Sequence, residues 1–148
     1  MSSVIEAIVA GAQSESEVWA RALRKAPEWE PVFSPLVPVE FALGVETVYE
    51  AYLVHYGKPR LFDAPDADEA VLLGDYLYAH GLVRIADAGG VRAVATMAEL
   101  ISRCAALRAD SLAGDGEAWV EAARALGGDP AADDVAGALE QHSARVAA

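Results

Sequence analysis

The sequence predicts an all-α protein, folded as a single domain from a bundle of about six helices. Apolar residues recur at every third or fourth position in six segments, and no segment of useful length alternates between apolar and polar residues. Glycine and proline separate these segments. With 148 residues, of which 54% are hydrophobic, the chain is long enough to enclose one core.

Two helices are predicted before residue 60. The first spans about Ser3–Lys25, where apolar side chains follow a helical period and basic residues lie near the end. Four prolines interrupt the helical pattern from Pro27 to Pro38. Pro38 suits the first turn of the next helix. This second helix runs to about Tyr56, and Gly57-Lys58-Pro59 ends it.

The third predicted helix, from residue 70 to about residue 88, is the most unusual. It is apolar on nearly every face, so we expect it at the centre of the bundle or in an interface between chains. Gly74 and Asp75 lie side by side in its middle. Glycine costs about 1 kcal/mol relative to alanine inside a helix, which indicates close approach of another backbone. Asp75, if buried, needs a hydrogen-bond partner.

Three further helices complete the prediction. They span about residues 91–111, 117–126 and 129–146. Gly89-Gly90 and Gly127-Gly128 end the helices that precede them, as glycine commonly does.

Charge and composition exclude several classes of function. A net charge of −12 opposes binding to nucleic-acid phosphates or to an anionic membrane surface. Cys104 is the single cysteine, so no intrachain disulfide can form and a reducing, cytoplasmic location is expected. The start of the chain does not resemble a secretory signal, and no apolar run reaches about 18 residues, so no stable membrane insertion is expected.

The titratable residues alone predict no catalytic set and no metal. His55, His80 and His142 lie on different predicted helices and lack the spacing of a helical metal pair. Asp133-Asp134 is explained by a solvated first helical turn, where acids favour the helix dipole. Cys104 is predicted to be a buried structural thiol.

A family resemblance extends the prediction. Residues 70–77, Ala-Val-Leu-Leu-Gly-Asp-Tyr-Leu, resemble the segment AVLxGDxLL of trans-type isoprenyl diphosphate synthases. Val45–His55 is similar to the helix that precedes the first aspartate-rich motif of that family, and Gly57-Lys58-Pro59 is similar to the end of its RRGxP element. The resemblance covers about residues 36–112 and implies the N-terminal half of the isoprenoid synthase fold.

The chain departs from this family where catalysis takes place. Catalytic members carry an aspartate-rich motif after the histidine and two arginines before the glycine, but here His55-Tyr56-Gly57 runs straight on. Those residues hold magnesium and diphosphate, so their loss removes the stabilisation of the leaving group. The resemblance therefore implies no cofactor on this chain, and Mg²⁺ belongs to a catalytic partner.

The leading hypothesis is a non-catalytic small subunit that pairs with a catalytic prenyl diphosphate synthase subunit and influences activity or product length. Interface candidates on this hypothesis are Gly74, Asp75, Tyr78 and Gly81. Candidates for an apolar channel are Phe41, Tyr49, Tyr52 and Leu53. Two alternatives stay open: a stand-alone homodimer that binds an apolar or prenyl ligand, and an unrelated helical interaction protein.

Overall fold

The computed structural model describes residues 2–28 and 30–146 and confirms the predicted all-α class, with 76% of it helical. The described residues form no strand. The six helices are α1 (Ser2–Glu15), α2 (Glu17–Ala22), α3 (Ala42–Tyr56), α4 (Ala67–Ala109), α5 (Asp115–Ala125) and α6 (Ala132–Val146). Two short 3₁₀ turns, Ser34–Leu36 and Val39–Phe41, precede α3.

The first predicted helix is two helices in the structure. Ser16 separates them, with an extended backbone at φ −164° and ψ 158°. Its hydroxyl accepts a hydrogen bond from the backbone N–H of Trp19 at 3.2 Å, which satisfies a free donor at the start of α2. The predicted end at Lys25 is also too late, because α2 ends at Ala22.

A short backbone pairing fastens the segment after α2 to the segment after α3. The N–H of Arg24 donates to the carbonyl of Leu61 at 2.8 Å, and the N–H of Glu28 donates to the carbonyl of Arg60 at 2.9 Å. These bonds supply partners for the backbone of a segment that belongs to no helix. They also hold Arg60 in place beside α3.

The most enclosed helix is α3. Every residue from Gly44 to Leu53 is buried, and α1, α4, α6 and both 3₁₀ turns contact this helix. Of the two locations predicted for residues 70–88, the centre of the bundle is therefore wrong, and an interface between chains stays a prediction. One face of that segment is open to solvent, where Leu72 and Val83 are 61% and 60% exposed.

Helix α4 joins two of the predicted helices. Its backbone leaves helical geometry at Gly90, where φ is 70° and ψ is −159°. Glycine adopts positive φ without the steric cost that other residues incur. The predicted boundary at Gly89-Gly90 is thus a kink within one long element rather than a loop. The last two helices, α5 and α6, match their predicted ranges to within three residues.

Candidate functional site

The four residues predicted to line an apolar channel lie in the packed core. Tyr49, Tyr52 and Leu53 are almost fully enclosed, and Phe41 is buried. The rings of Tyr49 and Tyr52 pack against Trp119, with centroids 5.1 and 5.9 Å apart. These side chains are thus part of the packed core of this chain.

The hydroxyls of two of these residues belong to a hydrogen-bonded group that we name the Asp115 cluster. It is formed by Tyr49, Tyr52, Arg108, Asp115 and His142. The Tyr52 hydroxyl donates to Asp115 Oδ2 at 2.6 Å, and Arg108 Nη2 donates to the same oxygen at 2.7 Å. His142 Nε2 lies 3.0 Å from that oxygen, and its Nδ1 lies 2.8 Å from the Tyr49 hydroxyl. Because a carboxylate only accepts, Nε2 carries a proton in this arrangement.

The cluster strongly favours an ionised Asp115. Burial alone raises the pKa of a carboxyl, but the hydrogen bonds from His142 and Tyr52 outweigh burial and hold the pKa of Asp115 far below its usual range. Burial raises the pKa of Tyr49 and of Tyr52, so both phenols stay protonated. The hydrogen bonds of the cluster connect residues of α3, α4, α5 and α6, so the cluster joins these four helices.

Replacing Asp115 with asparagine tests this role. At pH 7 we expect the free energy of unfolding to fall by about 2 kcal/mol, because buried donors lose a charged acceptor. The folded-state pKa of Asp115 is lowered, so its ionised form stabilises the fold above the unfolded value of about 3.9. That contribution disappears as the pH falls through the folded-state pKa. The difference in free energy of unfolding between wild type and variant, measured by denaturant titration, should therefore shrink below about pH 4.

The exposed Asp129 provides the control for this measurement. Asp129→Asn has no such cluster to disrupt, so its unfolding curve at pH 7 should follow that of the wild type. An Asp115→Asn curve that also follows the wild type at pH 7 would show that the cluster does not stabilise the fold.

A second polar group, the Arg60 cluster, consists of Glu46, Glu50 and Arg60, whose side chains are all fully buried. Arg60 Nε donates to Glu50 Oε1 at 3.0 Å, and Arg60 Nη1 donates to Glu46. Glu46 also accepts from the N–H of Ser34 at 3.1 Å, and Glu50 accepts from the N–H of Leu61 at 2.9 Å. The cluster therefore fastens the segments before and after α3 to the buried centre of that helix.

Neither cluster was predicted from the sequence. The sequence does contain a signal for the Arg60 cluster. Glu46 and Glu50 are four residues apart on a mostly apolar helix and so share one face. Two acids on an enclosed helix require a cation or several donors. The sequence does not show that Arg60 supplies that charge, because the contact depends on the path of the chain after α3.

The glycines predicted for an interface lie on the inner face of α4. A Cβ atom at Gly74 would lie 2.0 Å from Nε2 of His55, and one at Gly81 would lie 2.5 Å from Cγ2 of Val48. His55 and Val48 belong to α3 of the same chain. Close approach is thus required at both glycines, as predicted, but the approaching helix is internal.

The other two interface candidates differ from each other in exposure. The Asp75 side chain is 66% exposed, with Oδ1 3.8 Å from Nε2 of His55. Solvent therefore satisfies most of its hydrogen bonding, and it does not need the buried partner considered above. Tyr78 is half-buried and its ring meets the His55 ring edge-on, with centroids 5.3 Å apart.

The opposite side of α4 presents what we name the outward face, formed by residues 68, 72, 75, 79, 83 and 86. These positions recur at intervals of three and four and so lie along one side of the helix. All six residues are exposed, and Leu72, Ala79, Val83 and Ala86 make most of the surface apolar. Leu72 and Val83 are the two large apolar side chains of this face, which makes it a candidate surface for contact with another protein.

An open cleft of about 380 Å³ adjoins the beginning of this face. It is lined by Val54, His55, Tyr56, Ala67, Ala70 and Val71. Val71 is exposed on α4 directly before Leu72, so the cleft and the outward face are neighbouring parts of one largely apolar surface.

Cys104, His80 and Asp133-Asp134 lie in positions that packing or solvation explains. Cys104 is buried as predicted, and burial raises the pKa of its thiol to about 12, which suppresses the reactive thiolate. The His80 ring packs against the Tyr76 ring at a tilt of 42°, with centroids 4.3 Å apart. Asp133-Asp134 lies exposed in the first turn of α6, which confirms the solvated helix start.

Within residues 2–28 and 30–146, no three His, Cys, Asp or Glu side chains are grouped to hold a metal ion. No helix of that described part has both the length and the apolarity to cross a membrane. Comparison of the chain with protein-family models, with curated proteins and with solved structures finds no match.

Proposed function

We propose that this chain is a non-catalytic helical subunit that binds another protein through the outward face of α4. The observation that carries the proposal is the row of exposed apolar residues on that face, including Leu72 and Val83. Burying such side chains is favourable by about 25 cal/mol per Å² of apolar surface, which provides a driving force for association. The buried tyrosines and the protonated Cys104 thiol agree with a non-catalytic role.

The partner proposed here is a catalytic prenyl diphosphate synthase subunit. This identity rests on the resemblance of residues 45–77 to that family and on the missing segment between His55 and Gly57. Because Tyr49 and Tyr52 are enclosed in the core of this chain, we place its influence on catalysis in the contact between subunits rather than in a shared channel. The tagged chain, purified from its native source, should retain a synthase chain, and adding it to that synthase should raise prenyl transfer.

Leu72→Glu provides the direct test of the surface. We expect the dissociation constant for the retained synthase to rise at least about tenfold, because a charge replaces an apolar side chain in the contact. Isothermal titration calorimetry with the purified partner measures this change.

Leu112→Glu is the matched control. Leu112 is 60% exposed and lies outside the outward face, between α4 and α5, so its replacement makes the same chemical change at nearly the same exposure. This variant should bind as the wild type does. Equal binding by the Leu72→Glu variant would place the contact elsewhere and remove the basis of the proposal.

A second candidate function is binding of an apolar or prenyl ligand by a homodimer, and the cleft beside His55 favours it. Four of its six lining residues are alanine or valine, and His55 and Tyr56 are the two that carry polar side-chain groups. Lipid retained by the purified chain in native mass spectrometry would support this function over the first.

A further inference from the structure

Acidic residues share the outward face of α4 with its apolar residues. Asp68 and Asp75 are exposed on the same side of the helix as Leu72 and Val83. Asp87 is exposed on the flank of that side. From Ala67 to Gly90 the helix carries four acids and one base, Arg84, and the whole chain has a net charge of −12.

These charges distinguish between two kinds of occupant. A second copy of this chain would bring the same acids to the contact, and like charges at an interface oppose association. A chain with lysine or arginine next to its apolar residues would form opposite-charge contacts with Asp68 and Asp75 while burying Leu72 and Val83. Charge of this kind contributes mainly to the choice of partner and to the rate of association.

We infer that the outward face of α4 binds a different protein, whose docking surface combines apolar with basic side chains, and does not bind a second copy of this chain. The inference rests on the proposed function and specifies its partner. The apolar residues hold the two chains together, and the acids disfavour self-association.

A charge-reversed form of the full chain serves as the probe. In this variant Asp68→Lys, Asp75→Lys and Asp87→Lys are combined, which leaves the apolar side chains of the face unchanged. Wild type and variant should each sediment as monomers, whereas their equimolar mixture should form heterodimers at least about tenfold more tightly than either chain pairs with itself. Added salt should weaken the mixed dimer, because it screens the charges.

The control is a second triple variant with the same change in net charge, Glu40→Lys, Glu99→Lys and Glu140→Lys. These three glutamates are exposed outside the outward face. Mixed with wild type, this variant should remain monomeric. The inference is overturned if it pairs as well as the first variant, if wild type self-associates as tightly as the mixture, or if no mixture pairs.

The Leu72→Glu variant separates this inference from the proposed function. If Leu72→Glu abolishes binding of the native partner while charge reversal does not weaken that binding, the surface stands and its charge selectivity is overturned. If Leu72→Glu leaves the binding unchanged, the proposed function itself fails.

Discussion

Arg60→Met is expected to lower the free energy of unfolding by about 3–5 kcal/mol. The replacement preserves much of the side-chain volume but leaves Glu46 and Glu50 without the buried cation that both contact. An unpaired charge in the interior costs more than the pair contributed when intact. Since domains of this size are stable by about 5–15 kcal/mol, denaturant titration should show a much earlier transition or a chain unfolded in buffer.

Two further variants show whether charge causes this loss. Combining Arg60→Met with Glu46→Gln and Glu50→Gln removes both unpaired carboxylates, so stability should recover in large part. Arg103→Met breaks an ion pair with Glu121 in which both side chains are exposed, and its unfolding curve should match that of the wild type. An Arg60→Met transition at the wild-type denaturant concentration would show that the Arg60 cluster contributes no net stability.

The fold class and most helix positions could be predicted because they depend on local signals. Apolar periodicity and glycine boundaries are contained in short stretches of sequence, and they located α3, α5 and α6 closely. The signal failed at Ser16, where one polar residue divides a continuous apolar pattern by capping a new helix. At Gly90 the glycine signal marked the right position, but a kink and a loop require the same residue type there.

The polar clusters could not be predicted because their members are distant in sequence. Tyr49 contacts His142 across 93 positions, and Arg60 reaches Glu46 only because the chain turns back after α3. Tyr49 and Tyr52, both predicted for a channel, lie in the core, and their hydroxyls belong to the Asp115 cluster. A pattern of apolar spacing identifies residues that leave solvent, but it does not distinguish a packed interior from the wall of a cavity.

The apolar character of residues 70–88 combines two separate surfaces. Gly74 and Gly81 pack closely against α3, while Leu72 and Val83 are exposed to solvent. The composition of the segment alone averages over both faces and so predicted a helix at the centre of the bundle or in an interface between chains. Once the inner face is assigned to α3, the outward face remains as the surface available for another chain, which is the basis of the proposed function.

Gly74→Leu separates these two surfaces experimentally. If Gly74 lay in an interface between chains, leucine there would disrupt association and leave the monomer helical. The structure instead places three ring atoms of His55 within 2.9 Å of a Cβ atom at Gly74. We therefore expect the isolated chain to lose about 3 kcal/mol of stability, the upper end of the range for overpacking, with helix propensity offsetting little of it.

The origin of that loss is identified by removing the opposing ring. Adding His55→Ala to Gly74→Leu creates space for the leucine, so the double variant should be more stable than Gly74→Leu alone, a coupling that a double-mutant cycle measures. Gly137→Leu is the control, because a Cβ atom there meets nothing within 4 Å, and stability should be retained or rise.

Because Leu72 and Val83 lie on the other side of α4, a Gly74→Leu chain that still folds should still bind its partner. A fully stable Gly74→Leu chain that has lost its partner would place the interface on the inner side of α4 and reverse the assignment of the two faces.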